Sequence, residues 1–386
     1  MVSQPLRVLQ LIDSLARAGA EQSLTALAPH LANEGIELHV AYLIERDGLR
    51  PDLEKAGIAV HSLAGPDRDR RQWLARSVAL VADLQPAVVH TTLFESDLAG
   101  RRAARRLHVP CISSFANTAY GRTESSRDQV NRLRLRAAQL ADAATALSVA
   151  RFHAVTQHVA TVMGRRLLIP ARKIEVIPRG RDAALLGRRT ATRSAVVRER
   201  LGVDVEAPVI LAIGRQEPQK GFDVLLRALP EILREIPEVR VYVAGREGRA
   251  TDLLRNLVTE LRLTDAVTFL GQRDDVADLL AASDALAFPS LWEGAAGTLQ
   301  EAMALECPIV TSALPTILET VDESIAELVP PGDADALARG LISALGDQQI
   351  STRRVQVGRQ RFEREFTIDV CARRMADLYF RTAVPS

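Results

Sequence analysis

The sequence has few aromatic residues and almost no net charge. Phe, Trp and Tyr together make up 4% of its 386 residues, while hydrophobic residues as a whole reach 47%, enough to bury a sizeable core. The 49 basic and 48 acidic side chains nearly cancel. A balanced charge creates no field that would attract a polyanion, so we expect no nucleic acid among the partners.

Cysteines and long apolar runs are also scarce. Cys111, Cys307 and Cys371 lie too far apart for a metal-ligand motif or a disulfide framework, which indicates a reduced setting. No run approaches the ~18 apolar residues of a membrane-spanning helix, and the N-terminus lacks the regions of a signal peptide. We therefore expect a cytoplasmic protein, at most peripheral at the inner face of the membrane.

The sequence does contain a regular alternation of short apolar runs and longer helical patterns. One series begins at Leu6–Ile12, and a second begins at Val209–Ile213 and continues to about residue 344. Continuous apolar strands separated by helices are typical of parallel sheets covered on both faces. The predicted fold class is therefore α/β, with two doubly wound, Rossmann-like domains in tandem.

The same pattern sets the domain boundaries. We assign residues 1–180 to a first domain, residues 181–206 to a charged linker, and residues 207–364 to a second domain. A terminal helix at about 365–386 is predicted to pack back onto the first domain. Because open parallel sheets bind ligands beyond the carboxyl ends of their strands, the site is expected in the interdomain cleft.

A glycine and two cations follow the first strand of the second domain. Gly214, Arg215 and Lys220 lie in a loop that separates this strand from the next helix. The N-terminus of a helix carries partial positive charge, so the loop suits a diphosphate. A solvated basic turn accounts for the same residues equally well, and the local pattern leaves both interpretations open.

Two glutamates follow the strand Ala285–Phe288. Glu293 lies in the loop and Glu301 in the next helix, where carboxylates can accept hydrogen bonds from a sugar and from a ribose diol. The backbone N–H groups near Gly297 and Thr298 mark the helix start and suit a phosphate. Taken alone, Glu301 is better explained as a surface residue of the helix.

Together these loops resemble the retaining family-four glycosyltransferases of the GT-B fold. Glu293 and Glu301 reproduce the family's Glu-x7-Glu motif, and residues 214–221 are similar to its diphosphate loop. Residues 17–21 (Arg-Ala-Gly-Ala-Glu) resemble its Gly-Gly-Ala-Glu loop. Residues 178–182 (Pro-Arg-Gly-Arg-Asp) resemble its Pro-Asn-Gly-x-Asp interdomain signature. The motifs occur in the family's order over nearly the whole chain.

The resemblance implies an enzyme that moves a sugar from a nucleotide-sugar donor to a hydroxyl acceptor with retention of anomeric configuration. It also implies that the first domain is the acceptor side and that the second domain binds the nucleotide sugar. Arg215 and Lys220 would neutralise the leaving diphosphate and Glu293 would bind the transferred sugar; these three are the catalytic candidates. Glu301 would bind the ribose. The remaining donor-binding candidates are Gly19, Gly214, Gly297 and Thr298. Because two cations serve the diphosphate, neither a metal nor another cofactor is expected.

The acceptor side departs from the family pattern. Many relatives have a His after the strand that corresponds to Val109–Ser114, whereas this chain has Asn117, which can hydrogen-bond a sugar hydroxyl. His90 is another acceptor-side candidate, although a structural His fits equally well. Arg179 replaces the Asn of the interdomain signature, and it either meets an anionic group of the acceptor or pairs with local acids.

The predicted partners are a nucleotide sugar and an acceptor that is a glycan, a lipid-linked sugar or a small molecule, as in polysaccharide or glycolipid biosynthesis. Two basic helical clusters suggest contact with an anionic membrane, although solvated helix faces explain them too. These clusters are Arg101, Arg102, Arg105 and Arg106, and Arg132, Arg134 and Arg136. Two alternatives stay open: a sugar-nucleotide-binding protein without turnover, and a sugar-nucleotide epimerase on the same fold.

Overall fold

The computed structural model describes residues 4–65, 69–120, 132–204, 206–294 and 296–384. The chain divides into two compact units. Unit 1 comprises Met1–Gly180 and Thr367–Ser386, and unit 2 comprises Arg181–Phe366. Each unit is built on a parallel sheet with helices, so the predicted α/β class is confirmed.

The sheet of unit 1 contains seven strands among the described residues. They are β1 Leu6–Ile12, β2 Ile36–Tyr42, β3 Ala59–Ser62, β4 Val88–Thr92, β5 Cys111–Phe115, β6 Arg151–Ala154 and β7 Ile174–Val176. Their spatial order is β3-β2-β1-β4-β5-β6-β7, and all neighbours pair in parallel. Strands β4 and β5 are buried along their whole length although five of their ten residues are polar, and these polar side chains form hydrogen bonds with other buried groups.

Seven described helices belong to unit 1. They are α1 Gly19–Asn33, α2 Arg50–Lys55, α3 Arg70–Leu84, α4 Phe94–Arg106, α5 Arg132–Ala146, α6 Gln157–Leu167 and the C-terminal α15 Ile368–Ala383. Helix α15 packs against α1, and its Met375 and Tyr379 join the core formed by β1. Helix α5 is described from Arg132 onward, and residues 121–131 lie outside the described part of the chain.

The sheet of unit 2 contains six strands among the described residues. They are β8 Val209–Ile213, β9 Arg240–Ala244, β10 Val267–Gly271, β11 Ala285–Phe288, β12 Ile309–Ser312 and β13 Ala326–Val329. Their order is β10-β9-β8-β11-β12-β13, so the direction of the strand order reverses between β8 and β11. Such a reversal is the point at which open parallel sheets bind ligands.

The helices of unit 2 cover both faces of its sheet, because two separate apolar clusters pack against it. They are α7 Ala183–Leu186, α8 Ala191–Leu201, α9 Phe222–Glu235, α10 Thr251–Glu260, α11 Val276–Ala282, α12 Gly297–Ala304, α13 Ala334–Gly346 and α14 Gln348–Glu365. Helix α14 ends just before Phe366 and belongs to unit 2, whereas the following helix α15 belongs to unit 1.

The segment 181–206, which the sequence suggests is a linker, is folded as part of unit 2. Thr190 begins α8 by accepting a hydrogen bond from the N–H of Arg193, and Val197 is buried in the core. Arg198 forms an ion pair of 2.5 Å with Asp284. The linker interpretation is therefore wrong. The charged side chains of this segment interrupt its apolar periodicity, but they pair with residues elsewhere in unit 2, so the segment is packed against that unit.

One member of the first basic cluster is not on the surface. Arg101 of α4 is fully buried and pairs with Asp97 at 3.2 Å and with Asp142 at 2.5 Å. Arg102 and Arg105 are exposed on the same helix. Periodicity alone could not separate them, since a buried guanidinium depends on partners that lie elsewhere in the fold.

Candidate functional site

The two loops singled out from the sequence lie side by side in unit 2. They follow β8 and β11, the neighbouring strands at which the strand order reverses. The N–H of Leu291 donates to the carbonyl of Gln219 at 2.8 Å, and the side-chain amide of Gln219 donates to the carbonyl of Trp292 at 2.9 Å. These contacts bring the cationic loop and the first glutamate to one place.

Lys220 and Glu293 form an ion pair where the two loops meet. Nζ of Lys220 lies 2.5 Å from Oε1 of Glu293, and the hydroxyl of Ser290 donates to the same oxygen at 2.8 Å. Nζ also lies 5.0 Å from the centroid of the Phe288 ring, a contact that favours a cation. No described residue donates to Oε2 of Glu293, so this oxygen keeps its full capacity to accept hydrogen bonds.

Gly214 and Arg215 flank this pair. Gly214 has φ +150°, and a Cβ at this position would lie 2.9 Å from Cε of Lys220, so glycine allows the lysine side chain to pass across the loop. The side chain of Arg215 is 55% exposed, and its nearest carboxylate, that of Glu217, is 3.8 Å away. Glu217 accepts a shorter bond from Arg249, which holds the pKa of Glu217 below its usual value. Arg215 is thus the loosely held cation of the site.

The second glutamate lies on α12. Nε of Arg181 donates to Oε1 of Glu301 at 2.8 Å, and both side chains are about three-quarters buried. Gly297 and Thr298 are the first two residues of the helix, as predicted, and both are partly exposed. Their backbone N–H groups therefore belong to the helix terminus that lacks intrahelical partners.

Three further candidates cluster at the carboxyl end of the sheet in unit 1. Asn117 is exposed in the loop after β5, and Nη2 of Arg179 donates to the carbonyl of the preceding Ala116 at 3.3 Å. Gly19 begins α1, and a Cβ there would lie 3.3 Å from Nη1 of Arg179. The structure thus brings Gly19, Asn117 and Arg179 together.

His90 does not belong to this exposed cluster. Its ring is 2% exposed, and its two nitrogens contact the hydroxyl of Tyr379 at 2.8 Å and that of Ser114 at 2.7 Å. Ser114 also contacts Nδ1 of His153 at 2.7 Å, and Nε2 of His153 lies 2.8 Å from the carbonyl of Ile177. Both ring nitrogens of His90 are therefore satisfied, which favours the structural interpretation over an acceptor-side role.

The carbonyl of Ile177 fixes the direction of the chain of hydrogen bonds that runs from Tyr379 through His90, Ser114 and His153. Because a carbonyl only accepts, Nε2 of His153 carries the proton and its Nδ1 accepts from Ser114. Ser114 must then accept from Nε2 of His90, whose Nδ1 accepts from Tyr379. Burial lowers the pKa of His90 to about 3 and that of His153 to about 4, which keeps both rings neutral as this direction requires.

Several residues of the unit 2 site are missing from the sequence interpretation. Ser290 and Phe288 hold Lys220 and Glu293, and the hydroxyl of Thr316 donates to the carbonyl of Glu293 at 3.0 Å. Arg181, which the sequence indicates only as the variable residue of the interdomain signature, is the partner of Glu301. Its position within that signature is the one signal that could have indicated it.

The site of unit 2 therefore combines two cations, two carboxylates and a helix N-terminus at the reversal of the strand order. Such a set can neutralise an anionic group and accept hydrogen bonds from hydroxyls at the same time. The described residues contain no group of three or more His, Cys, Asp or Glu side chains arranged to hold a metal. None of the described helices is both long and apolar enough to cross a membrane.

Two family models cover most of the chain. The model "Glycosyltransferase Family 4" matches residues 17–185, and the model "Glycosyl transferases group 1" matches residues 195–361. The chain is 30% identical to the D-inositol 3-phosphate glycosyltransferase of Mycolicibacterium vanbaalenii over 81% of its own length and 76% of that protein. It is 25% identical to an Escherichia coli enzyme, UDP-Gal:alpha-D-GlcNAc-diphosphoundecaprenol alpha-1,3-galactosyltransferase, over 72% of this chain and 74% of that one.

A solved structure shows the same fold. The Anabaena protein HepE in complex with UDP-glucose superposes with a TM-score of 0.80 at 20% identity, covering 97% of this chain and 99% of that one. The predicted GT-B fold is thereby confirmed. The predicted activity, transfer of a sugar from a nucleotide-sugar donor, is confirmed at the level of the family. The chain belongs to the family-four glycosyltransferases of the GT-B fold.

Proposed function

We propose that unit 2 holds the nucleoside diphosphate of the donor and that the sugar is transferred with retention of its anomeric configuration. The observation that supports this assignment is the convergence of Arg215, Lys220, Glu293 and Glu301 on the loops after β8, β11 and the start of α12. In this proposal Arg215 and Lys220 bind the diphosphate, Glu293 the sugar and Glu301 the ribose. The Anabaena relative was solved with UDP-glucose, which agrees with a nucleotide sugar as donor.

The reaction breaks the bond between the anomeric carbon and a phosphate oxygen. Positive charge then develops on the sugar ring and negative charge on the diphosphate. Lys220 and Arg215 stabilise the negative charge, and Glu293, 2.5 Å from Lys220, stabilises the positive charge. Because fixed cations supply this stabilisation, we propose that the enzyme needs no metal ion.

The acceptor hydroxyl must lose its proton as its oxygen bonds to the anomeric carbon. Asn117 stands in the loop where a base is common in the family, and an amide cannot take a proton at neutral pH. We propose that the leaving phosphate oxygen receives this proton. One C–O bond then forms and one breaks on the same face of the sugar, which gives retention.

We propose further that the acceptor is lipid-linked and that unit 1 contacts an anionic membrane. Leu133 and Leu140 of α5 and Leu147, the residue after its end, are spaced seven residues apart and are 74%, 71% and 82% exposed. Arg134 and Arg136 are exposed on the same helix, and α4, with the exposed Arg102, packs against it. Apolar side chains flanked by cations suit an anionic membrane surface. The Escherichia coli relative, whose acceptor is a diphosphoundecaprenol-linked sugar, agrees with this choice.

A panel of nucleotide sugars tests the donor assignment. Thermal shift identifies the best donor, and a coupled assay then follows nucleotide release with and without acceptors, while NMR reports the anomeric configuration of the product. We expect stabilisation by one donor, acceptor-dependent release and retention. Binding without release under any acceptor would favour the non-catalytic alternative, and a donor epimer formed without acceptor would favour the epimerase.

Flotation with vesicles tests the membrane contact. We expect the protein to bind vesicles that contain anionic lipid at low salt, and Leu133→Gln with Leu140→Gln to abolish this binding. Indifference of the unmodified protein to anionic vesicles at low salt would exclude the proposed contact.

A further inference from the structure

Arg181 begins unit 2, and its main chain is held on both sides. Its N–H donates to the carbonyl of Phe366 at 2.8 Å. The next residue, Asp182, begins α7 by accepting from the N–H groups of Ala184 at 2.8 Å and Leu185 at 3.1 Å. The origin of the Arg181 side chain is therefore fixed relative to the rest of unit 2.

The side chain of Arg181 fixes the carboxylate of Glu301. Nε donates to Oε1 at 2.8 Å, a charge-assisted bond between side chains that are 24% and 22% exposed. A glutamate on a helix surface otherwise samples several rotamers. When it accepts a hydrogen bond from a ligand, it must lose this conformational entropy. The ion pair removes this freedom before a ligand arrives.

The guanidinium also occupies the space in front of Gly297. A Cβ at position 297 would lie 1.6 Å from Nη2 and 2.8 Å from Cζ of Arg181. Glycine is therefore required at the first position of α12 for the guanidinium to reach its place. The cation meets the positive end of a helix there, an unfavourable arrangement by itself that the carboxylate of Glu301 offsets and an anionic ligand would offset further.

We propose that Arg181 is a positioning residue of the donor site. It orients Glu301 toward the ribose and adds a third cation beside the diphosphate, in addition to Arg215 and Lys220. The inference rests on the proposed function of unit 2. The positioning role also explains why this chain has glycine at position 297 together with Arg181 at the variable position of the interdomain signature.

Steady-state kinetics with the best donor of the panel tests this role. We expect Arg181→Gln to raise the KM for the donor about 10- to 100-fold, as for lost bonds between charged groups, and to change kcat less than about threefold. Arg181→Lys keeps the charge without the planar fork and should recover part of the loss. Gly297→Ala should act like Arg181→Gln because its Cβ displaces the guanidinium. The double variant should then be no worse than either single one.

Binding of the matching nucleotides gives a readout that a purely structural role would not change. Calorimetry with UDP, GDP or ADP, whichever corresponds to the best donor, and with its nucleoside should show that Arg181→Gln weakens the diphosphate more than the nucleoside. Arg193→Gln is the matched control, since Arg193 pairs with Asp278 at 2.7 Å in the same unit with similar exposure. It should lower the melting temperature comparably and leave the KM unchanged.

Two results would overturn the inference in different ways. If the unmodified enzyme turns over its donor but Arg181→Gln and Gly297→Ala leave the KM within about twofold, Arg181 has no positioning role and the proposed function stands. If the unmodified protein neither binds nor turns over any nucleotide sugar, the proposed function fails first and the inference fails with it.

Discussion

Lys220 and Glu293 form a 2.5 Å ion pair that joins two loops 73 residues apart in the sequence. The Glu293 side chain is 6% exposed, and in this largely desolvated place its carboxylate is paired with Lys220 and accepts a hydrogen bond from Ser290. In the proposed function both partners act on the donor. The pair therefore serves two purposes: it joins the loops, and it holds a cation ready for the leaving diphosphate.

Lys220→Met is expected to reduce kcat about 100- to 1,000-fold, since it removes a fixed cation from the leaving group. Glu293→Gln should also lower kcat, and the double variant should lose less than the product of the two single losses, because the residues act together. Initial rates at saturating donor measure these effects. Lys55→Met is the control, because Lys55 is an exposed lysine of α2 in unit 1. A Lys220→Met enzyme that kept a third of its kcat would contradict the assignment.

Removal of divalent metal is expected to leave the activity unchanged. In the proposed function Arg215 and Lys220 supply the positive charge that a metal would otherwise bring to the diphosphate, so dialysis against EDTA should change the rate less than about twofold. The rate before and after EDTA, and after addition of Mg²⁺ or Mn²⁺, is the measurement. A loss of more than about tenfold that either cation restores would show that the enzyme depends on a metal.

Much of the fold follows from local pattern. The apolar runs predict β1, β8 and β11 with the bounds that the structure has. Buried parallel strands are continuous in hydrophobicity, so their positions need no tertiary information. The units themselves are less visible, because residues 181–206 belong to unit 2 through the burial of Val197 and the pair between Arg198 and Asp284.

The site shows the same division between local and tertiary information. The sequence indicates Glu293 and Glu301 because their spacing and their position after a strand resemble a family motif. Their partners could not be predicted, since Lys220 is 73 residues from Glu293 and Arg181 is 120 residues from Glu301. Which cation meets which carboxylate depends on side-chain positions that only the folded unit determines.

Arg101 shows where the sequence misleads, and it allows a direct test. Arg101→Met should lower the free energy of unfolding by about 3–5 kcal/mol, because it leaves the carboxylates of Asp97 and Asp142 buried without their cation. Arg102→Met on the exposed face of the same helix should change it by less than about 0.5 kcal/mol. Urea denaturation of the two variants makes the comparison.

The loss in Arg101→Met should also depend on pH. Burial raises the pKa of Asp97 to about 7 even with Arg101 present, and without the guanidinium this pKa rises further. A raised pKa in the folded state gives stability that is present at low pH and is lost as pH rises. The variant should therefore be less impaired at pH 5 than at pH 8. Equal losses at both values would show that the carboxylates are not the source of the destabilisation.

His90→Gln tests the directed chain of hydrogen bonds in unit 1 through pH dependence. Burial lowers the pKa of His90 from 6.5 to about 3, so the unfolded chain takes up a proton below pH 6.5 that the folded protein refuses. The stability that His90 contributes is therefore complete above pH 6.5 and declines as pH falls toward 3. The advantage of the unmodified protein over His90→Gln should shrink by up to about 1.4 kcal/mol per pH unit in that range.

The buried carboxylates require that this effect be measured as a difference. Asp13 has its pKa raised to about 6 by burial and Asp97 to about 7, so both favour the folded state as pH falls and offset the histidines in a single pH profile. Subtracting the free energy of unfolding of His90→Gln from that of the unmodified protein at each pH removes the contribution of Asp13 and Asp97. His153→Gln should show the same sign, since burial lowers the pKa of His153 to about 4. A difference that stays constant from pH 7 to pH 5 would mean that His90 is not held neutral by its partners Tyr379 and Ser114.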